Sequence, residues 1–171
     1  MKSPFRLARV PVALAAGIVT AALTFSTFAP QASAEVVRSP LMSSALSSCQ
    51  TYAPSQAPHV FWVHFKQAVY AHRDIPKTFW RSRTYRRDVA RIVCYESTFN
   101  LHAENPAGYY GWFQMSRPLV SSEGVSFPHY WSGSHWDPSG WYQVTAGARY
   151  ICSRYRNPAT AWRHEVDYGW Y

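Results

Sequence analysis

The sequence predicts a predominantly α-helical domain of the α+β class with a loop-rich middle. Three observations carry that expectation. Apolar residues recur at helical spacing in several stretches on both sides of the chain's centre. Between them, Asn100–Pro138 is punctuated by Gly and Pro and shows no sustained period. Finally, an export-type leader at the N-terminus leaves 137 of the 171 residues, which suits a single domain.

The elements follow in order. Lys2, Arg6 and Arg9 precede an apolar run from Val10 to Ala29, and Ala32-Ser33-Ala34 supplies the small-x-small pattern of a cleavage site. Residues 1–34 are therefore expected to be a signal peptide. The mature protein would be secreted, extracytoplasmic or in the cell wall, with no stable membrane association after cleavage. Residues 35–58 are rich in Ser, Ala and Pro and read as a linker or loosely docked arm. The domain proper is expected over 59–171. Its first helix runs from about His59 to His72, with Phe61, Phe65, Ala68 and Val69 on one side, and Asp74-Ile75-Pro76 breaks it. A second helix spans about Thr84 to Ser97. After the irregular middle come helices over about Gly140–Tyr155 and Ala159–Asp167, divided by Asn157-Pro158, where Pro suits a first turn.

Composition narrows the function. With 47% hydrophobic and 15% charged residues the chain is no disordered polymer. Its aromatic share is 17%, from eight Trp, twelve Tyr and nine Phe, more than a core of this size requires. Some rings are thus expected to meet a ligand, and Tyr109, Tyr110, Trp112, Tyr130, Trp131, Trp136 and Trp141 cluster in or beside the irregular middle. Without the leader, 14 Lys and Arg face nine acids, a net charge near +5. That balance suits an anionic cell-wall surface. Arg81, Arg83, Arg86, Arg87 and Arg91 form the only dense basic cluster, which also fits one solvated helix face, and export argues against nucleic acid as a partner. The seven His show no metal-ligand spacing, so no metal is expected; His129 and His135 are at most cleft contacts.

Three Cys in an exported chain imply one disulfide and one spare thiol. Three pairings are open. The preferred one is Cys94–Cys152, two helix positions bordering packed faces, with Cys49 left in a stretch of low structure and available for an intermolecular bridge.

One carboxylate stands out. At about 100° per residue, Glu96 falls within about 20° of Val89 on the apolar stripe of the second helix, beside Ile92, Val93 and Tyr85. Arg87, Asp88 and Arg91 take the opposite side. Burying a charged carboxylate is costly, so burial raises its pKa, and a raised pKa is what a general acid needs near neutrality.

Glu96-Ser97 is followed by Asn105-Pro106-Ala107-Gly108 and by Gly111-Trp112-Phe113-Gln114. Together with Gln143, Gly147, Arg149-Tyr150-Ile151, Arg154-Tyr155, Ala161-Trp162 and Gly169-Trp170-Tyr171, this ordered set resembles the lysozyme-like lytic transglycosylases (the soluble-lytic-transglycosylase domain), in their compact exported Gram-positive form. The resemblance covers roughly Arg86 to Tyr171. It implies a lysozyme-like fold and a peptidoglycan substrate, cut between N-acetylmuramic acid and N-acetylglucosamine without cofactor. Glu96 matches the family's single catalytic acid and Ser97 the hydroxyl beside it. Gly111 and Gln114 match the block lining the saccharide cleft, with Tyr110 adjoining. Trp162 stands where the family has a Tyr facing the acid, which leaves Tyr150 and Tyr155 as candidates for that phenol. The implied partners are peptidoglycan glycan strands. Two rivals share the scaffold: a hydrolytic muramidase, whose second carboxylate would be sought among Glu104, Asp137 and Asp167, and a non-catalytic wall-binding module.

Overall fold

The computed structural model describes Ser44 and residues 47–171; the expected signal segment, 1–34, lies outside these residues. The first long helix, α1 (His59–Ala71), buries Phe61, Phe65, Ala68 and Val69, as the spacing predicts. A single turn, α2 (Thr78–Arg81), buries Phe79. Helix α3 (Arg83–Ser97) starts where the Ser82 side chain accepts a hydrogen bond from the Tyr85 amide. It stops because Thr98 and Phe99 both adopt left-handed backbone, at φ 51° and 60°. Two such non-glycine residues in succession turn the chain sharply and place the following segment back over the helix end.

That segment forms a two-residue antiparallel hairpin, β1 (Tyr109–Tyr110) against β2 (Met115–Ser116), with Tyr109 opposite Ser116 and Tyr110 opposite Met115. Two short helices, α4 (Arg117–Ser122) and α5 (Phe127–Ser132), occupy the rest of the loop-rich middle. Each carries Pro in its first turn, where the missing amide hydrogen costs nothing. Helix α6 (Ser139–Tyr150) buries Gln143, Val144, Gly147 and Ala148 and runs directly into a π-helical turn at Ile151–Tyr155. Helix α7 (Pro158–Tyr168) is capped by Asn157, whose side chain accepts from the Thr160 amide, and closes at Gly169, φ 76°.

The described residues are thus predominantly helical, with one small sheet. Helix α1 packs on α6, α3 on α7 and α5 on α6. The Phe61 ring sits among Phe65, Trp112 and Phe113, at centroid distances of 5.9, 5.1 and 6.2 Å. Close approach is built in at Gly147: a Cβ there would lie 2.5 Å from the Phe113 ring.

Four expectations change. First, the disulfide joins Cys49 to Cys94, with a Cα–Cα distance of 5.7 Å, and Cys152 is a free, half-buried thiol. Cys94 lies about 140° round the helix from Val89, so it faces the 3-10 turn at Pro54–Gln56 and the short helical stretch that carries Cys49. Cys152 instead points its Sγ toward the Asp74 carbonyl, 3.7 Å away. Second, the described part of the 35–58 stretch is docked: Cys49 is buried, Tyr52 stacks on Phe99, and Trp62 Nε1 donates to the Pro54 carbonyl at 2.8 Å. Third, the side of α3 opposite the Val89 stripe is covered too. Asp88 is buried because α7 packs there, bringing Trp162 over the Arg91 guanidinium; Arg87 and Arg91 each lie 3.5 Å from its carboxylate. Fourth, the helix expected over 140–155 keeps α geometry only to Tyr150.

Candidate functional site

Glu96 is the penultimate residue of α3 and lines a cleft of about 1130 Å³. The hairpin and α4 supply one wall, through Tyr109, Gln114 and Leu119. Tyr150, Arg154, Trp170 and Tyr171 supply the other. Tyr109 and Trp170 are 41% and 48% exposed, so the cleft offers two open rings. The Arg154 guanidinium lies 5.4 Å from the Trp170 ring centre, adding positive charge at that end.

The floor is made of irregular backbone, and its carbonyls need partners. Side chains provide them. The Ser97 hydroxyl lies 2.9 Å from the Trp112 carbonyl and 3.2 Å from that of Val93. Tyr171 donates to the Phe113 carbonyl at 2.9 Å, and Tyr130 to the Tyr110 carbonyl at 2.8 Å. Gln143, wholly buried in α6, accepts from the Trp112 amide at 2.8 Å and donates toward the Leu101 and Tyr130 carbonyls at 3.0 and 3.2 Å. Gly111 is needed beside it: its φ is 73°, and a Cβ there would sit 2.4 Å from Gln143 Oε1. Gln114, itself at φ 43°, donates to the Gly111 carbonyl at 3.0 Å and accepts from Asn105 at 3.1 Å. The Asn105 side-chain oxygen, Oδ1, in turn receives the Ala107 and Tyr109 amides at 3.0 and 3.2 Å. The Asn-Pro-x-Gly and Gly-x-x-Gln segments thus lock each other.

As a residue Glu96 is half-buried, but protein surrounds its carboxyl on nearly every side. That burial holds its pKa well above the usual carboxylate range, and the negative charge of Glu165 pushes the same way. Glu165 lies on α7 and is wholly buried. Tyr171 is buried next to the pair, and burial first, then the charge of Glu96, raises its pKa. Among the described residues lining the cleft, Glu96 has the only acidic side chain.

The expected site residues divide. Glu96, Gln114 and Tyr150 line the cleft. Ser97 and Gly111 lie beneath it and fix the floor. Tyr110 packs on Phe127 and Trp131, at 5.0 and 5.3 Å, and does not line the cleft. Tyr155 is buried against Tyr150 and His164, and Trp162 is buried over Arg91, so neither reaches it. Nor do the two tyrosines put a phenol on Glu96: Tyr150 donates to the Tyr171 backbone oxygen at 3.2 Å. The phenols placed close enough to sense the Glu96 charge are Tyr171 and Tyr130. Of the rings clustered in the middle, Trp112 and Tyr130 belong to the core, and only Tyr109 lines the cleft. His129 and His135 pack on Tyr142 and Trp136 instead.

Sequence reading missed Glu165. A signal was present, since Ala161, Trp162 and Glu165 share one face of α7 at i, i+1 and i+4, and the first two are apolar. Glu104, Asp137 and Asp167 do not line the cleft. Among the described residues no three His, Cys, Asp or Glu side chains gather as a metal site would require, and no helix is long and apolar enough to cross a membrane. Comparison with protein-family profiles, with curated proteins and with solved structures returned no match.

Proposed function

We propose that the protein is a lysozyme-like, exported lytic transglycosylase that cuts peptidoglycan glycan strands with Glu96 as its one acid and base. The observation that carries this reading is Glu96 in the lining of the cleft, with its carboxyl enclosed by protein, which raises its pKa well above the usual carboxylate range. A protonated carboxyl facing a groove with two open rings suits a polysaccharide, because sugar faces stack on rings and hydroxyls meet Gln and Tyr groups.

The chemistry follows from having one acidic side chain in the cleft lining. Glu96 gives its proton to the glycosidic oxygen as the C1–O bond breaks and positive charge grows on the muramoyl ring. Now ionised, it takes the proton of the muramoyl 6-hydroxyl, whose oxygen bonds to C1. A 1,6-anhydro ring closes, no water is consumed, and Glu96 ends as it began. A two-carboxylate hydrolase would need a second acid about 5–9.5 Å away with the sugar between them. Glu165, whose charge acts on Glu96, is wholly buried and lies outside the cleft lining, which favours the one-acid route over a muramidase.

The test is mass spectrometry of muropeptides released from purified peptidoglycan. Anhydro-muramoyl ends are expected, and Glu96→Gln should slow release by about 10²-fold or more. Reducing ends would make the protein a muramidase. Release by Glu96→Gln at the wild-type rate would end the catalytic assignment and favour a binding module.

A further inference from the structure

Among the described residues, Trp136 is the large apolar side chain that the fold leaves most open, at 86% exposed. It stands in a turn that is braced on every side. The Ser134 amide donates to the Asp137 carbonyl at 2.7 Å, and the Ser134 hydroxyl oxygen accepts from the Trp136 and Asp137 amides at 3.3 and 3.0 Å. The Tyr142 phenol, on α6, donates to that same oxygen at 3.3 Å. At the base of the turn Gly133 has φ 78°, and a Cβ there would lie 2.7 Å from the Ser139 amide nitrogen. The turn is thus closed against the start of α6, so a partner that lands on Trp136 meets a ring whose backbone is already ordered. Nor is the ring alone. His135 stands edge-on to it, at 4.7 Å and 81°, and the Tyr142 that braces the turn carries His129 on its own ring at 5.1 Å. Both imidazoles are exposed.

The chemistry around the ring says what it suits. Between Arg117 and Arg149 the sequence has no Lys or Arg, although the chain's formal net charge is +8, and its acids there are Glu123 and Asp137. An anionic polymer or a lipid headgroup surface is met by cations beside the ring, and this segment supplies none. It supplies instead one flat apolar face, with the imidazole of His135 and the carboxylate of Asp137 next to it in the turn. That is the complement of a pyranose, which has C–H groups on its face and hydroxyls around its rim. None of residues 127–142 lines the cleft that holds Glu96. We propose that Trp136 is the platform of a second glycan-binding site, outside the cleft, which takes a sugar ring of a neutral polysaccharide strand, with His135 and Asp137 placed for the sugar hydroxyls. The site goes beyond the Glu96 reading and does not need it.

The test uses the full chain labelled with ¹⁵N and a neutral N-acetylglucosamine hexamer as probe. The Trp136 indole N–H signal, assigned by its loss in Trp136→Ala, should shift and saturate as the hexamer is added. It should do the same in Glu96→Gln, which keeps the probe uncut. In sedimentation with purified peptidoglycan, Trp136→Ala should bind about five- to tenfold more weakly, as the loss of one stacked ring gives. Trp136→Tyr restores a ring and should recover most of that affinity. Both Trp136 variants should melt within about 2 °C of wild type, because the side chain is exposed. An indole signal that does not move with the hexamer would overturn the proposal, and so would equal peptidoglycan binding by Trp136→Ala and wild type. A signal that moves instead with phosphatidylcholine vesicles, or with protein concentration alone, would overturn it in favour of a membrane contact or a second copy of the chain. The acid assignment is judged apart from this: a protein that cuts nothing yet shifts at Trp136 keeps the second site, and one that cuts with a silent Trp136 loses it and keeps Glu96.

Discussion

The Cys49–Cys94 bridge makes a prediction whose size can be worked from its loop. The two cysteines are 45 residues apart, so oxidation closes a loop of that length in the unfolded chain. Chain-entropy arithmetic removes about 13 cal/mol/K from the unfolded state, about 4 kcal/mol at 25 °C. For a domain of this size each kcal/mol shifts the melting temperature by roughly 3–6 °C, so losing the bridge should lower it by roughly 12–24 °C. Circular dichroism melts of three single variants separate the pairings. Cys49→Ser and Cys94→Ser should fall by nearly the same amount, and the double variant should fall no further than either. Cys152→Ser should melt within about 2 °C of wild type, since it is a half-buried thiol on the surface side of the π-helical turn. A large loss in Cys152→Ser together with a silent Cys49→Ser would refute the pairing and restore Cys94–Cys152. The consequence for the site is direct: Cys94 stands two residues before Glu96 on the last turn of α3, so the bridge anchors the helix end that carries the acid.

Two further outcomes follow from the floor of the cleft. Gln143→Leu keeps the shape of the side chain but leaves the Trp112 amide and the Leu101 and Tyr130 carbonyls without it; at about 1–3 kcal/mol per orphaned buried group, urea denaturation should show a loss of about 3–9 kcal/mol, and a loss below about 1 kcal/mol would show the floor is held otherwise. The Glu96 pKa gives a sign for pH. Its folded value lies above the unfolded value of about 4.3, so the stability linked to its protonation is complete below that pH and is lost as pH rises through the folded value. The Glu96→Gln variant, which cannot ionise there, should therefore gain on the wild type in urea midpoint between pH 4 and pH 8, by about 1.4 kcal/mol for each unit of upward shift. A difference that stays level across that range would mean Glu96 is not desolvated in the fold.

What was legible in the sequence depended on whether the signal was local. Phe61, Phe65, Ala68 and Val69 repeat on one helical face, and α1 buries them. Glu96 fell on the Val89 stripe for the same reason, and its carboxyl is enclosed by protein. Glu165 carried an equally local signal, beside Ala161 and Trp162 on α7, yet its meaning was not local: it depends on α7 lying against α3. The cysteines show the same boundary. Helical angles give the direction of Cys94 on its own helix, but not that the Ser- and Pro-rich arm before α1 returns to meet it. Nor does a count of rings divide core from cleft. Trp112 and Tyr130 sit in the very segment where open rings were expected, and both are buried, because that segment folds back across α6 before it reaches the groove.

The excess of aromatic residues has its explanation in that backbone. A cleft floor built from sheet or helix satisfies its own carbonyls; one built from the irregular run between Leu101 and Met115 cannot. Core side chains must then do two things at once, filling volume and sending a donor to the loop. Phenylalanine and leucine fill volume only. Tyrosine does both, with an apolar ring and a hydroxyl about 6.5 Å from its Cα. Tyr130 and Tyr171 have that position here, buried as rings and bonded as hydroxyls to the Tyr110 and Phe113 carbonyls. Trp112 answers from the other direction, its ring in the core and its Nε1 on the Phe99 carbonyl at 2.9 Å, at the left-handed turn that ends α3. Tyr130 and Tyr171 also stand close enough to Glu96 to sense its charge, so two of the rings that hold the loop neighbour the acid. Ring content and acid strength are therefore linked through one stretch of backbone: loosening the floor would admit water to Glu96 and lower its pKa even if no residue in contact with the carboxyl changed.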